Sequence, residues 1–101
     1  MAEGQHIQEL MILYAGGVNG ALTLAGSAVE AKVGATRMAG RKVLSVFNLS
    51  AATIYWAWNA AQANATDAFP MLKNTGLTWT ITDATPIYLF GAGDVRIQEG
   101  K

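Results

Sequence analysis

The rhythm of hydrophobic and polar positions changes near residue 26. Before it, Ile7, Leu10, Met11 and Tyr14 fall at i, i+3, i+4 and i+7, with Gln5, Gln8 and Glu9 polar. That spacing predicts a short amphipathic helix stopped by Gly16-Gly17, and a strand over residues 7–14 is the rival reading. The run from Gly16 to Gly20 reads as a turn. From Ser27 the period becomes two. Ser27, Val29, Ala31 and Val33 share a face while Glu30 and Lys32 point the other way, which predicts a half-buried strand. Val43 to Leu49 is nearly all apolar, as in a strand covered on both sides.

After a turn from Asn48 to Ala52, Ile54, Trp56 and Trp58 alternate with Thr53, Tyr55, Ala57 and Asn59. Residues 59–68 form a polar Ala/Asn loop, and Phe69-Pro70 opens a short extended segment that turns at Asn74-Thr-Gly76. Leu77, Trp79 and Ile81 then alternate with Thr78, Thr80 and Thr82. Pro86 suits the start of a strand over Ile87 to Phe90, where a missing donor costs least. The run Gly91-Ala-Gly93-Asp94 reads as a hairpin turn into Val95 to Gln98, so the last three strands are expected as a meander. Short strands spaced about 8–12 residues apart predict a mainly β fold, a small antiparallel β-sandwich of jelly-roll-like form. The expected division is an N-terminal arm or assembly segment, residues 1–26, and a β-sandwich domain, residues 27–101.

Composition sharpens this picture. A chain of 101 residues buries about 65% of its unfolded surface, so a partner subunit would help it. Charged residues make up 14% and apolar residues 51%, against about 25% charged in typical soluble domains. A surface with so little charge favours assembly over a free monomer. Seven basic and seven acidic residues cancel, which leaves no basic field for nucleic acid. Arg37, Arg41 and Lys42 cluster locally and read as a solvated edge. The absence of cysteine excludes disulfides and thiolate metal sites. The first ten residues carry acid rather than Lys or Arg, unlike a signal peptide. Residues 10–29 lack charge over a length that could cross a bilayer. Their glycines and polar residues, and the lack of basic anchors, argue against a membrane span.

No nucleophile, base and orienting partner can be named, so no enzyme activity, catalytic residue or cofactor is expected. His6 is the only histidine and has no converging ligands for a metal. Asp67, Asp83 and Asp94 read as turn formers, and Asp94 is expected to pair with Arg96 on an outward strand face. Trp56, Trp58 and Trp79 are expected as a core aromatic cluster, because aliphatic residues alternate in step with the rings. The functional alternative is an exposed platform for a sugar or a base.

With the pattern laid out, the segments AGRKVLSVFNLSAATIYWAW, FPMLKNTGLTWTI and TPIYLFGAGDVRIQEG resemble a recurrent module of small tailed-bacteriophage virion proteins. The matching positions are Arg41, Asn48, Ser50, Ile54, Tyr55, Gly76, Ile87, Tyr88, Val95, Arg96 and Ile97. The resemblance covers residues 39 to 100. It implies a non-enzymatic structural protein of the virion, assembled in the host cytoplasm, first of all a capsid cement (decoration) protein. A tail- or fibre-associated module that binds a partner protein or surface carbohydrate is the alternative. The implied partners are the major capsid protein or other virion proteins, with the chain itself a homo-oligomer (trimer or dimer), and no nucleic acid or membrane. Ile7, Leu10, Met11 and Tyr14 are the expected assembly contacts, burying against another chain.

Overall fold

Period-two alternation governs the strands in the computed structural model, which describes residues 16–101. Eight strands follow in order: β1 (Gly17–Ala25), β2 (Val29–Glu30), β3 (Val43–Asn48), β4 (Ile54–Ala57), β5 (Phe69–Met71), β6 (Gly76–Trp79), β7 (Tyr88–Phe90) and β8 (Ala92–Gly100). They build two antiparallel four-stranded sheets, ordered β1-β8-β3-β6 and β2-β7-β4-β5. The protein is therefore mainly β, with a single helical turn at Ala60–Gln62 among the described residues. Asn59 Oδ1 caps that turn by accepting from the Gln62 N–H.

One core draws on both sheets. Leu24, Leu44, Val46, Val95 and Ile97 come from the first sheet, and Ile54, Met71 and Leu89 from the second. Ala31 and Ile87, flanking β2 and β7, complete it. Each large aliphatic side chain so buried contributes about 1.5–3 kcal/mol of transfer free energy. Of the pattern from Ser27 to Val33, only Val29–Glu30 is a strand, yet most of the face is as expected. Ala31 is buried and Val29 and Val33 pack against the core, while Ser27, expected on the same face, is exposed.

The segment expected as an arm, residues 1–26, is divided differently. Residues 17–25 form β1, paired over its whole length with β8 from Gly17–Gly100 to Ala25–Ala92. The glycines there serve close approach rather than a turn. A Cβ on Gly17 would lie 2.5 Å from the Glu99 carbonyl oxygen, and one on Gly20 would lie 2.9 Å from a Val33 methyl. The helix expected at residues 7–14 lies outside the described residues. No helix among the described residues is long and apolar enough to cross a membrane.

Two other expectations change. β3 is covered on one side only: Leu44, Val46 and Asn48 are buried, whereas Phe47 is 40% exposed. The C-terminal meander does not form either. β6 and β8 both pair with β3, whereas β7 lies between β2 and β4 in the other sheet. The expected hairpin turn is a crossing between sheets at Gly91. Gly91 and Gly93 adopt φ of 147° and 122°, values that favour glycine. The space is as demanding as the dihedral, since a Cβ on Gly93 would lie 2.4 Å from Ser50 Cβ.

Candidate functional site

Among the described residues buried polar side chains are few and mostly committed, although Arg41 Nε has no hydrogen-bond partner. Arg41 and Glu99, 1% exposed each, form an ion pair with Arg41 Nη1 donating to Glu99 Oε2 at 2.9 Å. Arg41 Nη2 also donates to the carbonyls of Thr82 and Thr85. Glu99 Oε1 accepts from the Val33 amide, and Oε2 from the Met38 amide. Burial alone would push the Glu99 carboxyl up. The two backbone N–H groups and the Arg41 guanidinium outweigh it and hold the carboxyl below its ordinary value. The pair thus ties the connection before β3 to the loop before β7. It is a fastener, and Arg41 is not part of a solvated edge.

A second fastener closes the β3–β4 connection. Asn48 Nδ2 donates to the carbonyls of Ala52 and Met71, and its Oδ1 accepts from the Ser50 amide and hydroxyl. Asn48 Oδ1 and Nδ2 are thereby both satisfied, by partners within the turn and by Met71 on β5. Asp94 does not pair with Arg96 but accepts from the Thr23 hydroxyl. Asp83 accepts from the Gly40 amide, and Asp67 accepts from Asn64 Nδ2. Asp67, Asp83 and Asp94 are therefore tied into loops and edges, and among the described residues no three His, Cys, Asp or Glu side chains converge on a metal position.

The tryptophans do meet, but at the molecular edge. β5 is the last strand of the second sheet and β6 the last of the first. Trp56 sits at the centre, edge-on to Trp58 at 5.2 Å and to Trp79 at 5.1 Å, with Phe69 at 5.9 Å. Trp56 and Trp79 pack against the core, so their contact bridges the two sheets. Trp58 does not belong to the core: it is 51% exposed. Its place just beyond the end of β4 explains this. Trp56 already has Phe69 of β5 opposite it in register, and among the described residues no strand pairs with Trp58. Phe69, at 69%, Leu72, at 62%, and Leu77 are exposed on the same two edge strands or beside them. The result is an apolar seam with aromatic rings held face to edge. Such a seam can hold apolar or planar groups.

The expectation of a core cluster of Trp56, Trp58 and Trp79 does not hold for Trp58, and alternation gives no sign that the rings lie at an edge. The brevity of β5 and its Pro70 were the available signal. Ile7, Leu10, Met11 and Tyr14 lie outside the described residues. On the open face of the first sheet, Asn19, Ser45, Phe47, Thr78, Arg96 and Gln98 line a shallow concavity of about 440 Å³. Ser45 and Thr78 hydroxyls bond there at 2.8 Å. No protein-family model, curated protein or solved structure matches the chain.

Proposed function

We propose that this chain is a non-enzymatic structural protein of a tailed-phage virion, most simply a capsid cement protein, whose two sheets stack as a small jelly-roll-like β-sandwich. The exposed aromatic seam carries the reading. A lone protein gains nothing from leaving Trp58, Phe69, Leu72 and Leu77 in water. They keep between 39% and 69% of their surface exposed, so burying the remainder against a partner would contribute roughly 3–7 kcal/mol, at about 1.5–3 kcal/mol for a fully exposed side chain. Association costs about 4–15 kcal/mol. The seam alone therefore gives weak attachment, and a repeating lattice that engages many copies makes it firm. The resemblance supports the same view. Its Arg41, Asn48 and Ser50 are the buried fasteners, and its Ile54, Ile87, Val95 and Ile97 are core. They make a rigid block rather than a reactive site.

Trp58 and Phe69 also favour a second reading, a tail- or fibre-associated module whose exposed rings stack on a sugar. Cosedimentation of the purified chain with phage capsids separates the two. The cement reading expects stoichiometric pelleting, lost in a Trp58→Ser/Phe69→Ser variant that still melts cooperatively. A chain that stays in the supernatant with capsids, and whose tryptophan emission shifts on adding glycans, supports the second reading and overturns the first.

A further inference from the structure

The two sheets treat their edges differently. In the second sheet, β2 is two residues long and carries Glu30, while β5 is three residues long and contains Pro70. Short length, charge and proline are the usual protections against unwanted strand pairing. β1, at the edge of the first sheet, has none of them. It runs nine residues, GVNGALTLA, without charge or proline. Among the described residues no strand lies on its far side.

The hydrogen-bond register shows which groups face that side. Gly16 and Lys101 exchange both backbone bonds, at 3.1 and 2.9 Å, and the Gly26 amide donates to Gly91 at the other end. In an antiparallel ladder bonded and non-bonded pairs alternate. Val18, Gly20, Leu22 and Leu24 therefore direct their backbone bonds to β8. Gly17, Asn19, Ala21, Thr23 and Ala25 turn their N–H and C=O groups to the open edge.

We propose that this edge pairs with β1 of a second copy, antiparallel, about a two-fold axis at Ala21, joining the two first sheets into one. The strand is complementary to itself in that register. Ala21 faces Ala21, Asn19 faces Thr23, Gly17 faces Ala25, and no like charges are opposed. On the core side, Val18 is 42% exposed and Leu22 is partly buried, and the copy's strand covers both. The inference rests on the reading of the chain as an assembling part, but it needs no virion.

Light scattering on the full chain tests it. The wild type should form dimers or a larger species built on them. Ala21→Pro removes an edge donor and no bond to β8. It should retain the cooperative melt and weaken self-association by at least about tenfold. Ala21→Lys places like charges opposite each other at the axis and should also dissociate, and mixing A21K with A21E chains should restore a heterodimer. The mixing result decides the matter if Ala21→Pro fails to fold. An oligomer untouched by these changes overturns the β1 edge and leaves the assembly reading standing. A monomer at every concentration overturns both. So does a monomer in which the amides of Asn19, Ala21 and Thr23 resist hydrogen exchange, because its own chain then covers the edge.

Discussion

Arg41 and Glu99 show how much a single charged side chain can decide. Neither would survive burial alone, because an unpaired buried charge costs several kcal/mol. Replacing Arg41 by Met leaves Glu99 buried without its partner, and should cost about 3–5 kcal/mol in a denaturant titration. The Arg41→Met/Glu99→Leu double variant should recover much of that loss, since no charge is then stranded. The pair also sets a pH response. The Glu99 carboxyl is held below its ordinary value of 4.5, so the unfolded chain binds its proton first as pH falls. Its contribution is fully present above about pH 4.5 and drains away as pH drops through the lowered value. Wild type should therefore lose stability on acidification below that point more steeply than Glu99→Gln, as thermal melts across the acid range would show. None of this was legible in the sequence. Arg41 stands beside Lys42 and near Arg37, and local charge density suggests water. Its true partner lies 58 residues away, a distance that no local pattern reveals.

At the scale of elements, alternation carried most of the information and glycine misled it. Leu44, Val46, Ile54, Leu89, Val95 and Ile97 all face the core as a two-residue period requires. Glycine has two uses, bending the chain and permitting close approach, and sequence does not separate them. Gly17 and Gly20 lie in a strand against Glu99 and Val33, where the sequence suggests a turn over Gly16 to Gly20. Gly91 and Gly93 do bend the chain, but into the opposite sheet. The two kinds of site make different predictions. Gly26 has φ of 86° with nothing within 4 Å of a built Cβ. Gly26→Ala should cost only the backbone penalty of about 1–2 kcal/mol. Gly93→Ala meets both a positive φ and the Ser50 side chain, whose hydroxyl is bound to Asn48. It should cost clearly more, about 3 kcal/mol or above by equilibrium unfolding. Truncation checks β1 itself. Deleting residues 1–15 should leave a cooperative melt. Deleting residues 1–26 strips β8 of one of its two partner strands and removes Leu24 from the core, and should abolish that melt.

For the whole molecule, the sequence anticipated two-sided β architecture, a low-charge surface and the meeting of the three tryptophans. It did not anticipate that they meet where two sheets end. Side-chain period states which face a residue occupies, not whether another strand lies beyond it. Trp56 and Trp58 are in phase, yet one packs against the core and the other is half in water. That difference converts a stabilising cluster into a surface. The same holds for β1, whose uncharged length matters only because it is an edge. Among the described residues, buried polar side chains fasten loops while apolar rings stand at the surface. The central claim is that these surfaces are covered inside a virion. Quantitative mass spectrometry of purified particles tests it most directly. The account predicts the chain in fixed ratio to the major capsid protein, retained through repeated gradient purification. A chain abundant in the producing cells but absent from purified particles would contradict it.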